Sequence, residues 1–596
     1  MKAEITDSII FYFLCLAICL NLLLPGEIYF TTRYIGNLLI FLLFFIKVSH
    51  LLQYGGDRLS LYLPKRRLVG AFFLVGVVST VGNTNYHLSR GFVWLFITYF
   101  LLYFLLQNLR LGDREVALFI RVLLFLTIGI VLYGFYQYFF NFELIQKVVE
   151  KLDYLSPEQK ERVLRRIFSG RIFSTFALPT TLAGYVVIVI PLNLAYLAIN
   201  LRKARVFILY LVPLIFSLVA LMLTASFGGL VSLVGGMVLT FLVVFYERGS
   251  FRRFLLGLLI VMIILGVGLW AIGQFRGFHL WDLSAGENPI RLRLLNWQVG
   301  YNMGKDHWLK GVGLGNYGTL FPLYKIPGSQ ETQFAHNSLV QLFSEVGLPG
   351  VLLLLLAVVP VLWRVVIGVR RRYFQESHWE KRWLPLGLLT SIFVFVLHNM
   401  IEINLYFPSL GLLGVFLLAL GARSGVWGRD YRRSSWSLSE RVKKLVLLLL
   451  VGVFIFYGGW ITRAYIGQIY IGEAQRLAKE GSQEAALKRA SVAIRSDPTN
   501  SAYYYFKGGL IMSVTPLLPQ IDEAIAAYCK AIELNPFTPH LHYELSKLYL
   551  MREMPLKGFL EAKEAERLYP LSSKYRQFAR QMEENLKGRE DERGRP

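Results

Sequence analysis

Thirteen runs of apolar residues follow one another along this sequence. The hydrocarbon core of a bilayer is crossed by a helix of about 17 to 25 such residues, and only helices or closed barrels satisfy their backbone hydrogen bonds there. The runs lie at 8–25, 35–53, 68–84, 91–109, 116–140, 180–200, 204–224, 226–246, 253–274, 346–368, 384–407, 408–424 and 443–463. We therefore predict an all-α, polytopic membrane protein with about 12 to 13 transmembrane helices.

Composition excludes a soluble multidomain protein, because 55% of the 596 residues are hydrophobic and only 17% are charged. The first run lacks a small-residue cleavage site and leads directly into the second run. We therefore interpret it as a membrane anchor and not as a removable signal peptide.

The formal net charge of +24 is concentrated in alternate loops, after the second, fourth, sixth, eighth, tenth and twelfth runs. Arg370, Arg371 and Arg372 are one such group. This is the positive-inside pattern of a protein with a cytoplasmic amino terminus. The excess charge thus reports topology, and we expect no nucleic-acid partner.

This topology divides the chain into a membrane domain (1–424), a cytoplasmic loop with the last transmembrane helix (425–463), extracytoplasmic repeats (464–586) and a charged tail (587–596) that is expected to fray. Two sizeable loops, about 141–178 and 275–340, lie on the extracytoplasmic face with the repeats. In the first loop, 147–152 and 158–167 are patterned like short amphipathic helices at the bilayer interface.

The carboxyl-terminal region contains an internal repeat. Three sets of residues are in phase: Ala486, Ala524 and Gly558; Ala493, Ala531 and Ala565; and Pro498, Pro536 and Pro570. Their spacings are 38 and 34 residues, and 34 is the period of the tetratricopeptide repeat. We predict tetratricopeptide-like helix pairs, with a generic helical hairpin bundle as the alternative, and a protein partner at their surface.

Several short motifs lie in and around the second loop. They are Arg291–Arg293, Trp297, Gly311–Asn316, Ala335–Asn337 and Glu345–Gly350, preceded upstream by Gly170–Phe176 and Leu178–Pro179. Together they resemble the signature of the O-antigen ligase and O-antigen polymerase superfamily. The resemblance covers roughly residues 1–424. It implies a bacterial inner-membrane glycosyltransferase of the GT-C type, which moves a glycan from a polyprenyl diphosphate carrier to an acceptor hydroxyl without a metal or other cofactor.

Arg171, Arg293 and Arg291 are the candidate ligands for the diphosphate, because the planar guanidinium stays charged and binds phosphate in a bidentate manner. In the family an arginine stands four residues before the tryptophan, and Arg293 and Trp297 have that spacing. The resemblance therefore favours Arg293 over Arg291. The alternative for each arginine is binding of lipid head groups at the membrane surface.

His336 is the candidate catalytic residue, since histidine titrates in the range that a general base needs. Asn337 beside it is included among the substrate-binding candidates. A histidine where a loop meets a transmembrane helix also serves as a helix cap or an interfacial residue, which is the alternative.

The glycines Gly311, Gly313 and Gly315, with Asn316, would let backbone amides approach a phosphate. A tight turn packed on the membrane domain explains them equally well. Glu345 would orient His336 or bind sugar, or would form only local pairs.

A further polar cluster, His398, Asn399, Glu402 and Asn404, lies at the outer end of the eleventh run. His398 and Glu402 are four residues apart and are therefore expected to share a helix face and to be able to pair. Substrate binding and helix–helix hydrogen bonding both account for such a cluster.

The chain departs from the family at Thr224–Gly229, where many members carry Ser-Arg-Gly and Phe227 replaces the arginine. Ligase, polymerase and protein O-glycosylating enzyme share the signature, so the acceptor is a lipid, a glycan or a protein. A lipid-linked glycan transporter or a scaffold acting through the repeats is the alternative from another class.

Overall fold

The computed structural model describes residues 2–54, 58–61, 85–141, 170–245, 266–274, 288–378, 380–424, 434–437, 439–513 and 518–593, together with a few single residues between these ranges. Helices account for nearly all of the described structure, which confirms the all-α prediction. The exception is a two-stranded antiparallel ribbon in which β1 (Arg58–Leu61) pairs with β2 (Ser434–Ser437).

The membrane domain contains twelve described helices. They are α1 (Lys2–Leu23), α2 (Phe30–Tyr54), α3 (Tyr86–Asn108), α4 (Asp113–Tyr136), α5 (Pro179–Ile199), α6 (Ala204–Thr224), α7 (Phe227–Phe245), α8 (Pro289–Asp306), α9 (Tyr317–Tyr324), α10 (Ser338–Gln375), α11 (Glu380–Asn399) and α12 (Pro408–Ser424). A π-helical turn, Gln137–Asn141, follows α4, and a 3-10 turn, Asn404–Tyr406, precedes α12.

Ten helices in the described part of the chain are long and apolar enough to cross a membrane, and the shorter α12 is an eleventh apolar helix. They coincide with eleven of the thirteen predicted runs. The other two runs, 68–84 and 253–274, lie largely outside the described residues, as do the two short amphipathic segments predicted in the first outer loop.

Two of the predicted boundaries were wrong near the site. The run at 346–368 is part of a longer helix, because α10 begins at Ser338 and continues across a kink at Gly347. The run at 384–407 was predicted to be one helix, but α11 ends at Asn399. The side chain of Asn399 accepts a hydrogen bond from the Leu405 backbone N–H at 3.0 Å, and this bond holds the chain in a turn after α11. The residues around the turn are apolar, so hydropathy alone does not detect it.

Helix α5 forms the centre of the membrane domain. Its residues are largely apolar on every face and most of them are buried, as expected of a helix surrounded by other helices. It packs against α6, α7, α11 and α12. Helix α5 begins at Pro179, eight residues after Arg171, so the central helix is joined to the first of the predicted site loops.

The repeats begin within α13 (Glu440–Lys479), a 40-residue helix that crosses the boundary predicted at 464 without a break. It is followed by α14 (Gln483–Ser496), α15 (Ser501–Met512), α16 (Leu518–Leu534), α17 (Pro539–Met551), α18 (Pro555–Leu568) and α19 (Ser573–Arg593). Successive helices pack as pairs, α13 with α14, α15 with α16 and α17 with α18.

The small residues identified from the repeat lie in the second helix of each pair. Ala486, Ala493, Ala524, Ala531, Gly558 and Ala565 are all buried, so that the two helices approach closely. The tetratricopeptide assignment itself stays a prediction. The charged tail expected to fray from 587 is helical through Arg593, where the Lys587–Glu583 pair at 3.2 Å is one stabilising contact.

In the described part of the chain, Phe537 of the repeats packs against the apolar cluster that contains Tyr317 and Phe321, and polar contacts of Asp497 and Tyr569 also join the repeats to the membrane domain. Asp497, after α14, pairs with Arg90 at 3.2 Å and with His87 at 3.1 Å at the start of α3. Tyr569, after α18, accepts a hydrogen bond from Lys325 at 2.5 Å and donates one to Glu331. The repeats and the second outer loop therefore lie on the same face of the membrane domain.

Candidate active site

His336 occupies a constrained backbone position immediately before α10. Its φ is +55°, a left-handed conformation that is unfavourable for a residue with a side chain. Two neighbours hold it there. Trp297 Nε1 donates to the His336 carbonyl at 3.2 Å, and the Ala335 N–H donates to Gln341 at 2.6 Å. The position of the imidazole is thus set by bonds on both sides.

Asn337 caps α10. Its side-chain oxygen accepts hydrogen bonds from the backbone N–H groups of Leu339 and Val340, at 2.9 and 3.1 Å. An asparagine at this position satisfies donors that the first helical turn leaves without partners. The geometry therefore favours a capping role for Asn337 over the predicted contact with substrate.

Glu402 is the carboxylate that binds His336. It lies between α11 and the 3-10 turn, with 4% of its side chain exposed. Its Oε2 is 2.9 Å from Nδ1 of His336, and its Oε1 accepts a hydrogen bond from Arg293. Burial alone would raise the pKa of Glu402, but the charge of Arg293 and the contact with His336 outweigh burial and hold this pKa well below its usual range.

The pairing of Glu402 corrects two expectations. The carboxylate that orients His336 is Glu402 and not Glu345. His398 and Glu402 share a helix-like spacing, yet their side chains turn to different partners, because Nδ1 of His398 is 2.7 Å from the Asn404 side-chain amide.

Arg293 is fixed on α8 by the chain around the site. Besides Glu402, it donates to the carbonyls of Ile401 and Pro289, at 3.3 and 3.4 Å. Since Arg293 and Trp297 are one helical turn apart, they lie on the same face of α8. Arg293 thus binds Glu402 while Trp297 holds the His336 backbone, which is a physical reason for their spacing of four residues.

The imidazole of His336 remains accessible, with 26% of the side chain exposed. When the ring is neutral and Nδ1–H donates to Glu402, Nε2 carries the lone pair that accepts a proton. A buried carboxylate behind a partly exposed imidazole is the arrangement that holds a general base in the required tautomer.

Arg171 lies beside the segment that links α6 and α7. Its Nε donates to the Thr224 carbonyl at 2.6 Å. Farther along the same segment, Gly228 packs against Ile401, whose side chain would lie 2.9 Å from a Cβ at this glycine. Since Arg293 donates to the Ile401 carbonyl, the 224–228 segment connects the surroundings of the two arginines.

Phe227, which replaces the family's arginine, belongs to this segment. It is buried against Leu230, Val234 and Ile272. Residue 227 therefore forms an apolar core contact in this chain and supplies no positive charge for a substrate.

Arg291 lies next to Gly328 in the second outer loop, where its Nη2 would be 3.3 Å from a Cβ added to that glycine. The predicted preference for Arg293 agrees with this geometry, since Arg293 is the arginine in contact with Glu402.

The glycine turn packs on the start of α10. The N–H groups of Gly311, Val312 and Gly313 donate to the carbonyls of His307, Ser344 and Glu345, at 2.7, 2.9 and 2.8 Å. Of the two interpretations of these glycines, the structure favours the packed turn, because amides that bind backbone carbonyls are not directed at a phosphate.

The close approach requires glycine at two positions. At Gly311 (φ +70°) a Cβ would lie 2.3 Å from the Glu345 backbone, and at Gly315 (φ +79°) it would lie 2.3 Å from the Phe92 ring. Asn316 is buried and donates to Ser89 at 2.9 Å. These residues join the outer loop to α3 and α10.

Glu345 supports the same turn. Its carboxylate accepts hydrogen bonds from Gln341 and from the Tyr406 hydroxyl, both at 2.6 Å, and from the Tyr317 N–H at 3.4 Å. These are the local pairs that were one of the two alternatives for Glu345.

The remaining members of the polar cluster join helices. Ser338, the first residue of α10, donates to Asn399 at the end of α11 at 2.8 Å. His398 packs against Gly184 of α5. Helix–helix bonding therefore accounts for His398 and Asn399, whereas Glu402 belongs to the site.

Residues 212–355 match the family model described as O-antigen ligase. This segment of the chain is similar to the O-antigen ligase family. The matched segment includes Arg293, Trp297 and His336, and it confirms the family resemblance drawn from the motifs. A match at this level indicates a glycan-transferring enzyme of the ligase or polymerase kind. No curated protein matches the chain significantly.

Glu402 was predicted as a site residue, but its pairing with His336 was not predicted, and it lies outside the matched O-antigen ligase segment. The roles of Gln341 and of the Trp297 indole were not predicted at all. The signal available for Glu402 was an acidic residue at the end of an apolar run, but nothing in that signal identifies a partner 66 residues away.

Proposed function

We propose that this protein transfers a glycan from a polyprenyl diphosphate carrier to an acceptor hydroxyl, with His336 as the general base. The observation that carries the proposal is the buried Glu402 carboxylate 2.9 Å from Nδ1 of a partly exposed histidine, with Arg293 bound to the other carboxylate oxygen. The family match over 212–355 supports it.

In the reaction, Nε2 of His336 takes the proton of the acceptor hydroxyl while the hydroxyl oxygen attacks the anomeric carbon. The bond from that carbon to the diphosphate oxygen breaks, and the carrier diphosphate leaves with the electron pair. Glu402 stabilises the imidazolium that forms. A base of this kind contributes about 10²- to 10⁴-fold to the rate.

Arginines hold the leaving group in this proposal. A guanidinium has five N–H donors, and Arg293 makes three hydrogen bonds to Ile401, Pro289 and Glu402 among the described residues. It therefore retains donor capacity for a diphosphate oxygen. Arg171, beside the 224–228 segment, is the second candidate contact for the diphosphate.

One contact bears on the acceptor. Tyr569 of the repeats holds both Lys325 and Glu331 of the second outer loop, so a protein held by the repeats would lie beside the loop that carries His336. This contact favours protein O-glycosylation as the second candidate, after glycan transfer to a lipid acceptor.

Reconstitution with a polyprenyl diphosphate glycan tests the reaction, with mass spectrometry of the acceptor as the measurement. His336→Ala is expected to lower product formation by about 10²- to 10⁴-fold while leaving the protein folded. His307→Ala is the matched control, because His307 is an exposed histidine of the same segment that contacts Tyr324 at 3.2 Å.

Two results would contradict the proposal. One is normal transfer by folded His336→Ala protein. The other is movement of the lipid-linked glycan across the bilayer without a new glycosidic bond, which would indicate a transporter. The mass of the modified acceptor separates lipid, glycan and protein acceptors.

A further inference from the structure

A cavity of about 540 Å³ lies at the opposite end of the membrane domain from His336. Asp113, the first residue of α4, and Ile199, the last residue of α5, both line it. The other ends of these helices lie near the site, since Gln137, after α4, donates to Ser174 at 2.8 Å, three residues from Arg171. A helix of 21 residues such as α5 separates the two regions by about 30 Å.

The cavity is strongly cationic. Among the described residues that line it, Arg114, Arg121, Arg372 and Arg423 are basic and Asp113 is acidic. Asp113 pairs with Arg372 at 3.4 Å, so three arginines exceed the acidic charge. The guanidinium groups come from α4, α10 and α12, which converge here. Arginines that converge on one cavity are suited to a phosphate group.

An apolar groove continues from the cavity along α4. It is lined by Leu118, Val122, Phe125 and Leu126, and it shares Arg121 with the cavity. Leu118, Val122 and Phe125 are 42%, 45% and 37% exposed in a transmembrane helix. Phe125 is twelve residues beyond Asp113, about 18 Å along the helix, so the groove is long enough for much of an acyl chain.

We propose that the cavity binds the head group of an anionic glycerophospholipid and that one acyl chain lies in the groove on α4. The combination of charge and apolar surface selects an amphiphile over a soluble phosphate. Three of the positively charged groups of the sequence meet at this end of the molecule, through Arg114, Arg372 and Arg423 at the ends of their helices, and positively charged surfaces attract anionic lipids. The proposal is independent of the chemistry at His336.

The bound lipid has a structural consequence. The cavity is formed by residues of α4, α5, α6, α10, α11 and α12, so a ligand there contacts helices that are far apart in sequence. A ligand that binds only the folded state stabilises it by mass action. The protein is therefore expected to be more stable to heat with the anionic lipid than with a zwitterionic lipid.

Native mass spectrometry of the full-length, delipidated protein in detergent tests the site. Phosphatidylglycerol and phosphatidylcholine with identical chains are added separately. We expect retention of one phosphatidylglycerol with at least about a tenfold preference, equivalent to about 1.4 kcal/mol. The double variant Arg114→Gln/Arg121→Gln is expected to lose that preference.

The matched control is Arg202→Gln/Arg205→Gln, which removes the same charge from two exposed positions outside the cavity lining, one just before α6 and one in its first turn. It should retain the lipid as the wild type does. Val122→Trp fills the exposed groove without changing charge and should weaken retention by itself, which keeps the test valid if the arginine variant fails to fold.

Three outcomes would overturn the proposal. They are equal retention of the two lipids by the wild type, equal loss in both arginine double variants, and unchanged retention in folded Val122→Trp protein. Inorganic phosphate is added in a separate arm. Displacement of the phospholipid by millimolar phosphate would show a site for a soluble anion and would overturn the assignment to a lipid.

Discussion

Replacement of Glu402 by glutamine tests how the site is built. The side chain keeps its shape but loses the charge that faces His336 at 2.9 Å and Arg293 on its other oxygen. Two unit charges about 4 Å apart interact by about 4 kcal/mol at an effective dielectric constant of about 20. Since about 1.4 kcal/mol is tenfold in rate, loss of the imidazolium's partner predicts a fall in kcat of about 10²- to 10³-fold.

The assay is transfer by purified, reconstituted protein, with kcat and KM measured separately. KM for the donor should change less than kcat, because Glu402 acts on the charge that develops during proton transfer. Glu331→Gln removes a carboxylate from the same loop face, at a residue that contacts Tyr569 and not His336, and should leave kcat unchanged.

A double variant separates catalysis from structure. If Glu402 acts through His336, then adding Glu402→Gln to His336→Ala should cost little further activity. Equal losses in both backgrounds, or near wild-type kcat in folded Glu402→Gln protein, would refute the role assigned to Glu402. Thermal unfolding accompanies each assay, because removing one partner of a buried ion pair costs about 3 to 5 kcal/mol.

Three further predictions concern the frame of the site. Asn337→Ala should lower stability by about 1 kcal/mol through loss of the α10 cap, seen as a lower Tm, while KM for the donor stays constant; a large rise in KM would restore the substrate-binding role. Gly311→Ala, at a φ of +70° against the α10 backbone, should lower the folded yield and Tm sharply, whereas Gly472→Ala, which has no neighbour within 4 Å of its Cβ position, should not. Burial alone would raise the pKa of Asp497, but the contacts with His87 and Arg90 hold this pKa below its usual range. The ionised Asp497 therefore stabilises the contact between the repeats and the membrane domain above the ordinary carboxylate pKa of about 3.9. That stabilisation is lost as the pH falls through the lowered pKa of Asp497. Limited proteolysis between repeats and membrane domain should increase in acid for the wild type and should already be high at neutral pH for Asp497→Asn, and pH-independent cleavage would contradict the role of this pair.

Apolar length predicted the membrane helices well, because a bilayer allows few other structures. The second outer loop and its histidine were also identified, since Arg293, Trp297 and His336 form a recognisable pattern. These features depend on local sequence or on a motif.

The pairing within the site depended on contacts that the linear sequence does not show. Glu345 is nine residues from His336 and Glu402 is 66 residues away, yet only Glu402 contacts the imidazole. The break after Asn399 decides this, because it turns Glu402 out of α11 and towards α10. Hydropathy does not detect that break, since Ile401 and Ile403 around Glu402 are apolar.

Helix α13 has a consequence for how the repeats are oriented. It runs without interruption from the last membrane crossing into the first helix pair, over about 60 Å. Each residue of a helix contributes about 100° of rotation and 1.5 Å of rise. The direction in which the repeats project from the axis of α13 therefore depends on the number of residues in that helix. One residue inserted between the membrane crossing and the first helix pair would rotate the repeats by about 100° and would separate Asp497 from Arg90. The side of the repeats that faces Arg90 is therefore fixed by the length of α13.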